Sequence, residues 1–198
     1  MSEPLHALVG RCRHAGEIRK SRFLAQAAPV SSGEQALAFL QDVADPAATH
    51  NCWAYRVGAD YRFNDDGEPG GTAGRPILQA IEGQHIDRVM VVVTRWYGGI
   101  KLGAGGLARA YGGTAAECLR RAERAPIVAM ARMGAHCAFA EQALLSARLH
   151  ELGAQIERES FDHDGVSLEW SIAADRVAEA QARVLDISRG RSQARRLD

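Results

Sequence analysis

Seven glycines fall within the sixteen residues 98–113, between an apolar run and a segment of helical periodicity. Glycine inside an ordered element costs roughly 0.5–1 kcal/mol relative to alanine, so a chain keeps it where a side chain would obstruct a turn, a backbone contact or a ligand. The preceding β-branched run VMVVVT predicts a buried strand over 88–94. Apolar residues at helical spacing predict a helix over 104–123. The chain must therefore pass from a buried strand into a long helix through a glycine-rich connection.

The rest of the first 124 residues predicts further strands and helices. Two strands joined by a turn at Ala15-Gly16 are predicted within residues 5–30. The alternation in HNCWAYRV, a turn at Gly58-Ala59-Asp60 and the returning segment YRFN predict a hairpin. Helices are predicted over 34–43 and 76–85, and the polar loop DDGEPGGTAGRP leads into the second of them. This succession of elements predicts a fold of the α/β (α+β) class.

A domain boundary is predicted after residue 124, where the charged helix end RRAER is followed by Pro126. Proline cannot continue a helix, because it lacks the backbone N–H. The following residues predict the order strand, helix, strand, strand, helix, strand, which is the βαββαβ pattern of a ferredoxin-like domain. The chain is therefore predicted to contain two domains, residues 1–124 and 125–198.

The overall composition favours a cytoplasmic globular protein. The 198 residues hold 24 Lys and Arg against 24 Asp and Glu, so the net charge is zero and no broad positive field is expected. No apolar run approaches the ~20 residues of a membrane span, and the first residues lack the pattern of a secretory signal. We therefore expect neither a membrane partner nor secretion, although a local basic patch remains compatible with these numbers.

The glycine-rich connection fits two familiar nucleotide-binding motifs poorly. Gly103, Gly105 and Ala108 match the spacing of a dinucleotide-binding fingerprint, but eight residues separate Gly103 from the strand, and no further strand with a terminal acid follows. The lysine of a P-loop is not at the required position relative to the glycines. The spacing therefore gives little support to a Rossmann or P-loop site.

A more general anion site is compatible with the same segment. Backbone amides near the start of the predicted helix, with their dipoles, attract negative charge. Three cationic side chains, those of Arg95, Lys101 and Arg109, accompany these amides. The alternative is that the glycines only allow close packing and that the arginines bind neighbouring carboxylates.

The acidic loop also allows two interpretations. Asp65, Asp66 and Glu68 lie within four residues and can bind magnesium or serve as acid–base groups. Alternatively, they pair with the cations of the glycine-rich segment, an interpretation that we favour. Thr72 is a candidate cap for the helix that follows. His50 and Cys52 share a strand face, but no third residue that would orient them for catalysis is evident.

Four long strings resemble the YigZ/IMPACT family: KSRFLA, HNCWAYR, NDDGEPGGTAGRPIL and VVVTRWYGGIKLGAGGLARAYGG. The resemblance covers about the first 120 residues closely. Two positions depart from the family pattern, since Gly71 stands where serine is usual and Trp96-Tyr97 where Tyr-Phe is usual. The resemblance implies an N-terminal α/β sandwich like the second domain of a small-subunit ribosomal protein. It also implies a C-terminal domain like the last, ferredoxin-like domain of elongation factor G.

The resemblance further implies a role linked to translation, because eukaryotic members regulate translation by binding the activator of the amino-acid-starvation kinase. We therefore predict a non-enzymatic regulatory or binding protein whose partner is the ribosome, structured RNA or a translation factor. No catalytic residue, metal or cofactor is assigned. The alternatives are a magnesium- or nucleotide-dependent enzyme or switch, and a plain protein-interaction module. The predicted ligand-binding residues are Asp65, Asp66, Glu68, Thr72, Gly74, Arg95, Gly99, Lys101, Gly103, Gly105, Gly106 and Arg109.

Overall fold

A computed structural model describes residues 4–197 of the protein, which divides into two compact units. The N-terminal unit ends at Ile127 and the C-terminal unit begins at Val128. The predicted boundary lies three residues earlier. Residues 124–126 stay with the N-terminal unit because they form a short strand, β7 (Arg124–Pro126), that pairs antiparallel with β1 (His6–Leu8) near the start of the chain.

The N-terminal unit is built on a five-stranded antiparallel sheet with helices on both faces. The chain order is β2 (Cys12–Ile18), β3 (Ser21–Pro29), α1 (Gly33–Val43), β4 (His50–Val57), β5 (Asp60–Asn64), α2 (Gly74–Glu82), β6 (Val89–Trp96) and α3 (Ala104–Arg121). The spatial order of the strands is β2-β3-β6-β4-β5. Strand β6 is central and buried along nearly its whole length, as its β-branched run predicts.

Alternation along the central strands separates the core into two layers. Val89, Val91 and Val93 pack with α2 and α3, whereas Met90 and Val92 pack with α1. Successive side chains of a strand point to opposite faces, so a strand between two layers must be apolar on both. The predicted α/β sandwich is confirmed.

The predicted turn at Ala15-Gly16 is wrong, because these residues lie inside β2 and pair with Leu24 and Phe23. The chain reverses at Arg19-Lys20, which have φ angles of 47° and 65° and join β2 to β3. A two-residue turn with both central residues in the left-handed region matches the twist of its strands. Asn-Gly usually marks this turn, and its absence here removes the signal that sequence reasoning depends on.

One glycine of the connection after β6 is required by close packing. A Cβ atom at Gly98 would lie 1.9 Å from the carbonyl oxygen of Lys20, in the β2–β3 turn. No side chain fits in that space. Gly98 therefore holds the turn against the end of the central strand.

The C-terminal unit has the predicted ferredoxin-like order. Its elements are β8 (Met130–Ala138), α4 (Phe139–Glu151), β9 (Gln155–Phe161), β10 (Gly165–Ala173), α5 (Val177–Ile187) and β11 (Arg195–Arg196). The four strands form an antiparallel sheet in the order β11-β8-β10-β9, and its core contains Trp170, Met133 and Leu149. The predicted βαββαβ domain is thus confirmed. No helix within residues 4–197 is both long and apolar enough to cross a membrane.

We predict opposite effects for two glycine-to-alanine changes. Gly98→Ala forces backbone apart at the Lys20 carbonyl and should lower the free energy of unfolding by at least about 2 kcal/mol. Gly113→Ala, on an exposed turn of α3 with open space around it, should raise it by about 0.5–1 kcal/mol. Urea unfolding followed by circular dichroism measures both. Equal stability of the two variants would contradict the close-packing role of Gly98.

Candidate functional site

The loop between β5 and α2 is organised by Asp65. Its carboxylate accepts backbone hydrogen bonds from Gly71 at 2.8 Å, Ala73 at 2.9 Å and Gly74 at 2.8 Å. Burial opposes ionisation of this group, but the three N–H donors outweigh it and lower the pKa of Asp65. Asp65 therefore caps the start of α2 from a distance in sequence.

Two other residues predicted to bind ligand are also structural in this loop. The hydroxyl of Thr72 donates to the Pro69 carbonyl at 2.6 Å, so it does not cap α2 as predicted. Gly74 is buried, and a Cβ atom there would lie 2.7 Å from the backbone of Asn64. Both positions close the loop onto β5.

Asp66 ties the same loop to strand β4. Its carboxylate accepts the backbone N–H of Asn51 at 2.5 Å, and its carbonyl oxygen lies 2.7 Å from Nδ1 of His50. Residue 66 adopts a φ of 42°, which turns both groups towards β4. The acidic loop is thus fixed to the sheet at two successive residues.

Glu68 and Arg95 form a buried ion pair. Their side chains are 4% and 5% exposed, and Nη1 of Arg95 lies 2.5 Å from Oε1 of Glu68. The hydroxyl of Tyr111, from α3, donates to the same oxygen at 2.7 Å. Nη2 of Arg95 donates to the Ser21 hydroxyl at 3.3 Å. This charge pair therefore joins four elements: the acidic loop, the central strand β6, helix α3 and strand β3. For Glu68 and Arg95, the interpretation that the acidic loop pairs with the cations is met.

His50 and Cys52 border this pair without forming a nucleophilic site. Nε2 of His50 lies 3.8 Å from Oε1 of Glu68. The thiol of Cys52 donates to the Asp65 carbonyl at 3.0 Å, and burial raises the pKa of Cys52 to about 12. A thiolate is the reactive form of cysteine, so a thiol held protonated in this way is a poor nucleophile.

The three carboxylates of the acidic loop do not converge. Asp65 faces the start of α2, Asp66 faces β4, and Glu68 faces Arg95. Within residues 4–197 there is no group of three or more His, Cys, Asp or Glu side chains arranged to hold a metal. Their geometry gives no support to the magnesium interpretation.

The remaining predicted residues lie on the surface at the start of α3. Lys101 and Arg109 are exposed, and neither forms an ion pair with any residue between 4 and 197. Gly99 and Gly103 have φ angles of 86° and 71° and open space where a side chain would begin. Gly105 is also exposed, and Gly106 packs beside Leu102. The predicted set is thus divided into a structural group, which holds the acidic loop to the sheet and to α2, and an exposed group that contains the cations Lys101 and Arg109.

A cleft of about 280 Å³ lies beside this surface. Arg19 from the β2–β3 turn and Arg109 from α3 both line it, with Ile18, Leu102, Gly106 and Ala110. Sequence reasoning missed Arg19 because the turn was predicted four residues too early. The one feature of the sequence that could have indicated a role for Arg19 is its position next to Lys20, which places two cations in succession.

Comparison with known families identifies the N-terminal unit. The model of the Impact N-terminal domain matches residues 19–119, just over half of the chain. The chain belongs to the IMPACT family. Residues 136–191 match a second model, described as a domain of unknown function (DUF1949).

Several individual proteins resemble the chain. The IMPACT family member YigZ of Escherichia coli is 36% identical over 181 residues, which cover 88% of each protein. An IMPACT family member of Thermus thermophilus is 63% identical over 111 residues, 56% of this chain and 62% of that relative, so less than two thirds of it is matched. Protein IMPACT of Mus musculus is 40% identical over 95 residues, 43% of this chain and 29% of that protein. A crystal structure described as a hypothetical protein superposes with a TM-score of 0.74 at 33% identity, covering 100% of this chain and 99% of the other.

We predict that Arg95→Met destabilises the protein far more than removal of an exposed cation. The change leaves the Glu68 carboxylate buried without its partner, which should cost about 3–5 kcal/mol. Arg176→Ala breaks the exposed Arg176–Glu179 pair at the start of α5. This change should lower the free energy of unfolding by at most about 1 kcal/mol. Urea titration of both variants tests this difference, and equal midpoints would contradict it.

We also predict a pH-dependent effect of Asp65→Asn. At pH 7 the variant should lose about 1–2 kcal/mol of stability, because the charged hydrogen bonds at the start of α2 are weakened. The depressed pKa means that the stabilisation is complete above the unfolded-state pKa of about 3.9 and is lost as the pH falls through the folded-state pKa. The difference between wild type and variant, measured by thermal unfolding, should therefore be constant from neutral pH to about pH 5 and shrink below about pH 4. A difference that grows on acidification would contradict this role.

Proposed function

We propose that the protein is a translation-linked, non-enzymatic binding protein that contacts structured RNA or a ribosomal site through the surface at the start of α3. The observation that carries the proposal is an unneutralised group of cations on a chain of zero net charge. Arg19 and Arg109 line one cleft, Lys101 precedes its lining residue Leu102 in the chain, and none of the three cations has an acidic partner among residues 4–197. Membership of a family that includes protein IMPACT supports the link to translation.

The main chain of this surface favours the same ligand. Helix α3 is 18 residues long, and the amides of its first turn have no partner within the helix. These amides and the helix dipole attract negative charge, and the glycines at 103 and 105 leave them accessible. Phosphate groups of RNA combine negative charge with several acceptor oxygens, so they suit both the amides and the arginines.

The buried pair Glu68–Arg95 has a supporting role in this proposal. It fixes the end of β6, from which the glycine-rich connection runs to α3. The ligand-binding residues reduce to Gly99, Lys101, Gly103, Gly105, Gly106 and Arg109, with Arg19 added. The other predicted residues position the ligand-binding ones; they are Asp65, Asp66, Glu68, Thr72, Gly74 and Arg95.

One observation favours a protein partner at the same surface. Tyr97 is 45% exposed and Ile100 is 39% exposed, within the connection that precedes Lys101. Exposed aromatic and aliphatic side chains are typical of protein interfaces. A translation factor is therefore the second candidate partner.

We predict that Lys101→Ala combined with Arg109→Ala weakens binding to a labelled RNA stem–loop and to purified ribosomes. Loss of two phosphate contacts should reduce the slope of log K against log salt by about 1.4–1.8. Fluorescence anisotropy in a potassium chloride series measures the slope, and sedimentation measures ribosome binding.

A matched variant distinguishes the effect of losing this surface from the effect of losing positive charge in general. Arg62→Ala with Arg183→Ala removes the same charge from exposed positions elsewhere and should leave the slope nearly unchanged. Equal slopes for the two double variants would show that the start of α3 is not the contact surface.

A further inference from the structure

The β2–β3 hairpin is strongly positive although the whole chain is neutral. Residues 11–22 contain five cations and one carboxylate, a net charge of +4. Among residues 4–197, Arg11 pairs with Asp42, whereas Arg13, Arg19, Lys20 and Arg22 form no ion pair. The side chains of these four residues are exposed, and β2 is an edge strand of the sheet. The charge makes an anionic polymer the natural occupant of the hairpin.

A cleft of about 390 Å³ lies beside the hairpin, on the face of the sheet that carries α1. Its apolar lining is provided by Ala15, Leu24 and Trp96, and its polar groups are Glu17 and Arg22. Helix α1 packs farther along this face, through Phe39 against a cluster that contains Met90 and Val92. The cleft is therefore an uncovered part of the sheet.

Trp96 is held in place within the cleft. Its indole N–H donates to the Asp45 carboxylate at 3.0 Å, which fixes the ring. Arg22 lies on β3, the neighbour of β6, and its guanidinium carbon is 4.7 Å from the centroid of the Trp96 ring. An aromatic ring and a planar guanidinium together form a surface on which another flat ring can stack.

We propose that this cleft binds an unpaired base of single-stranded RNA, while the hairpin cations bind the adjoining phosphates. The proposal rests on the proposed function and adds a second, base-binding contact to it. Bases that are free of a duplex stack on aromatic and arginine side chains, whereas duplex bases are not available for this.

The charge inside the cleft distinguishes a base from an acidic peptide. Glu17 lies opposite Arg22 on the neighbouring strand and lines the same cleft. Its carboxylate repels an Asp or Glu side chain, but it accepts a hydrogen bond from the amino group of a base. The cleft therefore matches a base better than it matches an acidic side chain.

The two clefts lie on either side of one turn. Arg19 lines the cleft that contains Arg109, and Arg22, three residues later, lines the cleft that contains Trp96. Lys20 lies between them at the tip. A single strand that crosses the tip would meet cations along its path and reach both clefts.

Filling the cleft tests the proposal without removing a charge. Ala15 is exposed in β2, so Ala15→Leu should occupy the cleft and leave the fold intact, as an unchanged melting temperature would verify. We expect this change to weaken binding of a labelled single-stranded RNA of about 12 nucleotides by about tenfold, with the salt slope unchanged. Binding of a blunt RNA duplex should be unaffected.

Matched variants provide the controls. Ala59→Leu makes the same change at the exposed β4–β5 turn, on the opposite edge of the sheet, and should bind like wild type. Arg22→Ala should also weaken single-strand binding, whereas Arg62→Ala, exposed on β5, should not. The second pair keeps the proposal testable if Ala15→Leu unfolds.

The outcomes separate the two proposals. If Ala15→Leu and Arg22→Ala bind single-stranded RNA like their controls, the base-binding cleft is disproved, while a defect of Lys101→Ala with Arg109→Ala still supports the α3 surface. If wild type binds none of the RNA probes at low salt, both proposals fail. If a poly-glutamate peptide competes and depends on Ala15 in the same way, the occupant is an acidic peptide and the RNA assignment is overturned.

Discussion

The arrangement of the N-terminal unit depends on the buried contact between Glu68 and Arg95. Two charges removed from water are tolerated only when they are paired, and further hydrogen bonds to the pair offset part of the cost of burial. Tyr111 and Ser21 supply two of these hydrogen bonds. The pair therefore requires a loop, a central strand, α3 and β3 to take up one relative position. The aromatic rings of Phe23 and Tyr97, whose centroids lie 5.6 Å and 5.2 Å from the guanidinium carbon, complete its surroundings.

This contact also explains the distribution of charge on the unit. The acidic groups of the loop are directed inward or along the sheet, to Arg95, to the start of α2 and to β4. Four hairpin cations and two cations near the start of α3 have no such partners among residues 4–197 and are exposed: Arg13, Arg19, Lys20, Arg22, Lys101 and Arg109. A neutral chain thus presents a locally positive surface, and net charge alone is a poor guide to its partner.

The sequence predicts those parts of the structure that depend on local periodicity. The buried strand β6, the helix α3 and the βαββαβ order of the C-terminal unit follow from apolar spacing and from helix-breaking residues. The turn at Arg19-Lys20 was missed, because two long cationic side chains carry none of the usual turn chemistry. Arg22 meets Trp96 because β3 pairs with β6, whereas Arg19 meets Arg109 because α3 packs against the β2–β3 hairpin. The spacing of residues in the sequence does not predict such contacts. The acidic and glycine-rich motifs did indicate that Glu68 and Arg95 were available to pair.

The absence of a side chain at Gly98 has a mechanical consequence for the unit. Because its backbone rests directly on the Lys20 carbonyl, the tip of the hairpin has no slack relative to the middle of the sheet. A displacement of the tip towards the sheet would therefore also displace β6, which is buried along nearly its whole length. The tip of the hairpin is therefore held in a fixed position relative to β6, so a surface that includes this tip is preformed.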